Sequence, residues 1–399
     1  MYTKKLIVIS LLLMILTPCL RAQKKEIAQA RSYIKSGKNF DKAEKLMTDL
    51  LEKDSLNREN PRIHVLLYEA VQRQYEAGNE KLYLKQKFDT ATIFNLTKRM
   101  FDICLRFDSI DARPDQKGRV RPEYRKKHAR ELDDIRRNLY LGGRFFLVKS
   151  CYPLAYCFFD AYLDCARQPL FTDYNYLQQD TLMKHAAYWA SYTGLRENNP
   201  EHILKYADLA LNDTTNVLFT LQYMAEAYRM VENDTLYVQT LDNGFRRSPE
   251  HAYFYSHLLD FLNSKECYDK ALALSDDALT YNPKSQLFLF GKSTVLLNMG
   301  RNEESLAVSD TLIHINPDLS EPYFNAATAL LNQVLPLERD SRRNRKKIHA
   351  LYTQARPYME RYRQLAPRQQ DKWAPALYKI YLNLNMGKQF DEIDKLLKK

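Results

Sequence analysis

Apolar residues recur three and four positions apart along the chain, as at Tyr255, Leu258 and Leu262, the spacing of a helix that buries one face. A longer period lies over this short one. Pro249, Pro283 and Pro317 stand 34 residues apart, each after a small polar residue, Ser248, Asn282 and Asn316. Counting outward from these prolines brings large, small and aromatic positions into phase. Residues 252–285 add Ala271 and Ala278 before Pro283. Residues 286–319 carry Leu289, Leu296 and Leu312 before Pro317, with Gly300 at a turn between two helical stretches. Residues 218–251 align Ala225 and Tyr228, and residues 184–217 end on Ala210 and Leu211. The pattern predicts antiparallel helix pairs. Small residues let the two helices of a pair approach, and aromatics fill the space between pairs. Proline ends the second helix because it lacks an N–H and disfavours the α conformation before it.

Outside these four units the register needs insertions. Residues 136–169 fit, with Leu139, Gly143, Phe146, Ala155 and Phe159, and a 14-residue insertion from Leu170 to Met183 follows. The unit 320–369 opens on Tyr323, Ala326 and Ala327, is interrupted near residues 335–347, and resumes with Ala355, Met359 and Pro367. The last unit has Trp373 and then Gly387 before a final amphipathic helix. A short unit surrounds Ala30, Gly37 and Ala43, and residues 58–135 are helical but least regular. The expected organisation is a leader at 1–22, an N-terminal helical region with degenerate units at 23–135, and a repeat array at 136–399.

With this 34-residue period, these small positions and this terminal proline, the chain resembles the tetratricopeptide repeat (TPR) family over roughly three-quarters of the length that follows its expected leader. It also resembles exported TPR proteins of Gram-negative bacteria. The resemblance implies an all-α, right-handed superhelical solenoid of about eight or nine helix-turn-helix units. It carries no particular activity, because such arrays host many roles.

Composition adds limits. Only 10 glycines and 15 prolines leave no flexible linker, and 28 tyrosines and 18 phenylalanines suit aromatic packing. Residues 1–22 read as a secretory signal peptide: Lys4 and Lys5, then the apolar run Leu6 to Leu16, then Ala22. That run is about half of the ~20 residues that span a bilayer. The expected location is therefore the periplasm, envelope-associated if a lipid is attached. A lipid anchor at Cys19 is disfavoured, since Pro18 sits where a small residue is needed. Cys104, Cys151, Cys157, Cys165 and Cys267 remain after cleavage and read as buried small hydrophobes.

The net charge of +11 is local. One basic stretch holds Arg119, Arg121, Arg125, Lys126 and Lys127, and a second holds Arg342, Arg343, Arg345, Lys346 and Lys347. They read as solvated faces or as docking patches for an acidic protein or an anionic lipid surface. No nucleic-acid recognition module is visible.

In the TPR pattern the first helix of each pair lines the concave groove. That places Phe290, Thr294 and Asn298 in one row, Phe324, Thr328 and Asn332 in the next, and Tyr378 and Tyr381 in the last unit. Aromatic rings and asparagine amides in such rows suit an extended peptide. For Asn298 the competing reading is a helix C-cap before Gly300. The triplet Asp–Ser/Thr–aliphatic or Thr recurs at Ser55, Thr90, Ser109, Thr181, Thr214, Thr235 and Thr311. It resembles an O-glycosylation sequon of exported proteins, and it also fits helix capping by Asp.

No catalytic, metal or cofactor motif emerges. The histidines are scattered, and His251 and His257 stand six apart rather than four. Three functions are in view. The first is an exported, non-catalytic scaffold or adaptor that binds a peptide segment or loop of a protein partner. The second is a structural subunit of an envelope or outer-membrane complex, docked through the basic insertions. The third is an enzyme with a site in 58–135. Partner identity and oligomeric state are not legible.

Overall fold

The computed structural model describes residues 23–398, so the predicted signal peptide and Cys19 lie outside the described residues. Every regular element among the described residues is a helix, and helices follow one another as antiparallel pairs, an all-α repeat solenoid. The chain forms two compact units, one ending at Glu232 and one running from Asn233.

In unit 1 the pairs are α1 (23–35) with α2 (Phe40–Lys53), α3 (Pro61–Tyr83) with α4 (Thr90–Asp111), and α5 (Arg125–Val148) with α6 (Tyr152–Asp164). Then α7 (Leu182–Arg196) faces a second helix broken into α8 (Pro200–Leu204) and α9 (Ala207–Ala210), and α10 (Val217–Met230) follows. Unit 2 holds α11 (Asp234–Arg247), α12 (Ala252–Ser264), α13 (Tyr268–Tyr281), α14 (Gln286–Asn298), α15 (Asn302–Ile315), α16 (Glu321–Val334), α17 (Ser341–Leu365), α18 (Gln370–Asn383) and α19 (Gly387–Leu397).

Local chemistry sets the helix ends. Side chains of Asn60, Asp89, Asn199, Asn233 and Ser285 accept first-turn amides, satisfying donors that a helix start leaves without partners. First helices end in left-handed residues that keep the 34-residue phase: Asn198, Glu232, Glu266 and Gly300. The next amide reaches back to a carbonyl inside the helix, as Cys267 N to Leu262 O at 2.8 Å and Arg301 N to Leu296 O at 2.9 Å. This is the Schellman closure of a helix C-terminus.

The prolines that set the register each follow a second helix. Asn282 and Asn316 cap α13 and α15; the Asn282 side-chain amide donates to Glu250 of the preceding repeat (3.0 Å), and that of Asn316 to Gln286 at the start of its own repeat (3.0 Å). Large residues at the start of the following repeats lock onto the proline carbonyls, Tyr323 on Pro317 (3.0 Å) and Trp373 on Pro367 (3.3 Å).

The expected core positions are buried, including Ala155, Phe159, Tyr255, Ala271, Ala278, Leu312 and Ala326. Gly143 is where α5 meets α6, and a Cβ there would fall 2.7 Å from the Phe159 ring. The cysteines divide. Cys104 and Cys165 are buried, but Cys151 and Cys157 are exposed and Cys267 is half-buried, so the expectation of buried hydrophobes fails for three of the five free thiols.

Two insertions take definite form. Residues 170–183 fold as 3-10 turns and a four-residue helix, Tyr176–Gln179, with Leu170, Phe171 and Tyr176 buried in the unit 1 core. The insertion near 335–347 is a 3-10 turn, Leu335–Asp340, followed by the first turns of α17. The basic stretch at 342–347 is therefore helical. Arginine and lysine are good helix formers, and Asp340 caps the helix by accepting from the Arg343 amide.

Candidate functional site

In unit 2 the predicted groove rows come from first helices. Phe290, Thr294 and Asn298 lie on α14, and Phe324, Thr328 and Asn332 lie on α16. A cleft of about 520 Å³ opens between α16 and α18. Phe324, Thr328, Leu331 and Asn332 line one side, and Lys372, Pro375, Lys379 and Asn383 line the other. Tyr352 of α17 and the 335–340 turn close its end. Phe324 is half-buried, with its ring 5.1 Å from that of Tyr362 and Lys372 Nζ 5.7 Å from its centre. Among the described residues neither Lys372 nor Lys379 forms a salt bridge. The cleft thus has an aromatic floor and a cationic wall.

The other predicted residues divide between open and engaged positions. Thr294 and Thr328 donate to the carbonyls of Phe290 (3.0 Å) and Phe324 (2.8 Å), bonds internal to their helices. Asn325, which the sequence reading missed, is buried and donates to Ser293 (2.8 Å) and Thr294 (3.1 Å). Its amide closes α16 onto α14 and occupies the Thr294 hydroxyl. Only the Phe324 row therefore lines the cleft. The burial of Asn325 among small neighbours is a cross-repeat contact that spacing along one helix does not reveal.

Asn298 is the last residue of α14, and Met299 follows as the cap. Its amide reaches Asn263 of α12 at 3.4 Å, so it bridges neighbouring repeats. Tyr378 packs at a tilt against Phe390 of α19, at 4.7 Å between rings, and stays half-buried. Tyr381 is buried and donates to Glu360 at 3.1 Å, which corrects its assignment to an open groove. Burial first, and then the Glu360 carboxylate, raise its hydroxyl pKa to about 12.

The two basic stretches differ sharply. In the first, Arg119 pairs with Asp115 (2.9 Å), Arg125 grips the buried Asp108 through two bonds (2.7 and 2.8 Å), and Lys127 pairs with Glu131 (3.8 Å). Arg121 and Lys126 remain exposed. In the second, Arg342, Arg343, Arg345, Lys346 and Lys347 are all exposed, and none forms a salt bridge among the described residues.

All seven hydroxyl residues of the recurring triplets are exposed: Ser55, Thr90, Ser109, Thr181, Thr214, Thr235 and Thr311. Their aspartates do structural work at several positions. Asp54, Asp89, Asp180 and Asp213 each accept the amide two residues on, the geometry of a turn or cap.

In unit 1 a cleft of about 610 Å³ lies between α2 and α4, over α3. It falls partly in 58–135, the region of the enzymatic expectation. His64 lines it, stacked on Phe107 at 5.5 Å. Its Nε2 donates to the Arg58 carbonyl at 2.8 Å. Burial, the largest influence, lowers the His64 pKa and keeps the ring neutral. Ser109 in the same cleft donates to the Arg106 carbonyl. Both groups are engaged by backbone rather than by each other. Among the described residues no cluster of His, Cys, Asp and Glu could hold a metal ion, and no helix is long and apolar enough to cross a membrane.

Comparison with solved structures finds distant similarities. The chain is similar to the C-terminal part of a TPR repeat-containing protein from Cytophaga hutchinsonii, with 11% identity and TM-score 0.45, over 64% of this chain and 93% of that one. It is similar to MamA from Desulfovibrio magneticus RS-1, with 15% identity and TM-score 0.35, over 47% of this chain and 96% of that one. It is also similar to YrrB, described as a TPR protein with an unusual peptide-binding site, with 15% identity and TM-score 0.35, over 48% and 90%. No family model matches the chain, and no curated protein does.

Proposed function

We propose that the chain is an exported, non-catalytic repeat scaffold of the cell envelope whose unit 2 cleft holds a peptide segment or loop of a protein partner. The cleft between α16 and α18 carries this reading, because it joins the half-buried Phe324 ring to an open wall with Lys372 and Lys379. Apolar anchoring by one ring with polar groups around it is how a few residues come to dominate a protein contact. The leader-like residues 1–22 support export. Affinity purification from the native envelope identifies the partner, and Phe324→Ala tests the cleft. The variant keeps wild-type helicity by circular dichroism and binds the partner about tenfold or more weakly. Unchanged affinity removes the cleft from the function, and recovery of the protein in the cytoplasmic fraction removes the export reading.

A second reading, a structural subunit docked through α17, has its own observation. Five cations sit in the first two turns of that helix, at the positive end of its dipole, with no acid among them. Each such placement costs a few tenths of a kcal/mol up to about 1 kcal/mol. An acidic protein surface or anionic lipid would offset that cost. Arg342→Glu with Arg345→Glu then abolishes envelope association and its salt sensitivity, whereas Phe324→Ala leaves both intact.

A further inference from the structure

The unit 1 cleft lies against the second helices of its first two pairs, α2 and α4, and not on a row of first helices. Its floor is aliphatic, with Leu51, Leu67, Ile103 and Ile110. On α4 the cleft-lining residues repeat every seven positions, Arg99 with Arg106 and Ile103 with Ile110, so one helix face alternates cation and aliphatic side chain over about three turns.

The charges of the cleft are not balanced. Arg99 is held by Glu44, and Asp102 by Lys98 at 2.8 Å. Arg58 spends its Nε on the Leu51 carbonyl at 3.1 Å. Among the described residues neither Arg58 nor Arg106 forms a salt bridge, and Glu52 is the one lining carboxylate without a cation. His64, kept neutral by burial, adds no charge near pH 7. Two guanidinium groups with no carboxylate partner among the described residues, beside an aliphatic floor, form a receptor for a carboxylate carried next to an aliphatic side chain. Arginine binds carboxylates through paired N–H donors, and those charge-assisted bonds are about twice as strong as neutral ones.

We propose that unit 1 contains a second binding site, distinct from the unit 2 cleft, which takes an acidic peptide segment bearing aliphatic residues, with Arg58 and Arg106 on its carboxylates. The volume lies within the range of ligand sites, and the open mouth suits a peptide rather than an enclosed small molecule.

Fluorescence anisotropy of the full chain tests this. The probe is a fluorescein-labelled, C-terminally amidated helical peptide of about 14 residues, with glutamate and leucine spaced three and four apart. The control has lysine for every glutamate. Wild-type protein binds the glutamate probe saturably and leaves the lysine probe free. Arg58→Ala and Arg106→Ala each weaken binding about tenfold, Arg106→Glu abolishes it, and Phe324→Ala leaves it unchanged. Far-UV circular dichroism and an unaltered melting midpoint show that Arg106→Glu is folded. No saturable binding by the wild type overturns the proposal, as does wild-type affinity in folded Arg106→Glu. Loss in Phe324→Ala with retention in Arg106→Glu also overturns it and moves the acidic peptide to the unit 2 cleft.

Discussion

Arg136 shows how much one side chain can hold. It is almost wholly buried, yet it is charged. Its guanidinium lies between the rings of Tyr162 (3.9 Å) and Tyr176 (3.7 Å), pairs with Asp180 at 2.6 Å, and donates to the Tyr162 carbonyl at 3.1 Å. Tyr176 and Asp180 belong to the insertion at 170–183, so Arg136 fastens that insertion to α5 and α6. Arg136→Ala leaves Asp180 half-buried without its cation and costs about 3–5 kcal/mol, measured by urea unfolding. Burial pushes the Asp180 carboxyl up, but the Tyr162 hydroxyl, Arg136 and the Leu182 amide outweigh it and leave its pKa below the ordinary 3.8. A depressed folded-state pKa stabilises the fold fully above the unfolded value. Its contribution therefore holds above about pH 4 and is lost as pH falls through the lower folded pKa. Acid titration of Asp180→Asn shows a smaller loss of stability below pH 4 than the wild type. The same residue explains one recurring triplet without a sugar, since Asp180 is occupied by Arg136 and by the Leu182 amide. Intact mass of protein taken from the envelope decides for all seven: added hexose-scale mass supports modification, and the bare mass leaves capping alone.

At the scale of elements, the turns carry the repeat more faithfully than the helices do. Asn198, Glu232, Glu266 and Gly300 hold the same left-handed conformation at equal intervals, although only one is glycine. A left-handed conformation costs a side chain about 1–2 kcal/mol, against a glycine entropy penalty of about 0.5–1 kcal/mol. Glu266 is exposed, so little contact is lost on truncation. Glu266→Gly accordingly stabilises the chain by about 0.5–1 kcal/mol in thermal or urea unfolding. Close packing is less forgiving. A Cβ on Gly194 of α7 would lie 2.6 Å from the Ile203 amide nitrogen of α8, a backbone atom that a rotamer change cannot move. Gly194→Ala costs about 1–3 kcal/mol, more than Ala would cost at the open Gly300 turn. Gly300, Pro283 and Pro317 made their turns legible because their residue types declare the geometry. Glu232 and Glu266 did not, because glutamate in a left-handed turn has no signature of its own. The insertion at 335–347 was legible as a break in register but not as helix, since its charges masked the α-helical spacing of Ile348, Tyr352 and Ala355.

At the scale of the molecule, the sequence period specified which residues are buried but not which surfaces are open. Phe290 and Phe324 are equivalent by register, yet it is Phe324 that lines the cleft between α16 and α18, one end of which α17 and the 335–340 turn wall off. The unit 1 cleft had no signal at all, since its lining comes from three helices and a turn brought together only by folding. Repeat stacks are stabilised by each helix pair and its neighbours, so a local lesion is expected to stay local. The fastening of 170–183 by Arg136 lies in unit 1, and the α16–α19 core of Tyr323, Leu330, Met359 and Trp373 is a separate cluster in unit 2. Hydrogen exchange read by mass spectrometry distinguishes the two regimes. In Arg136→Ala, amides of α5 to α7 lose protection by a factor of about 100 or more, the equivalent of roughly 3 kcal/mol, while those of α16 to α19 keep wild-type rates. Equal loss in both regions means that the chain opens as one cooperative block. In that case the unit 2 cleft could not keep its shape when unit 1 is disturbed, and lesions in unit 1 would weaken partner binding without touching Phe324.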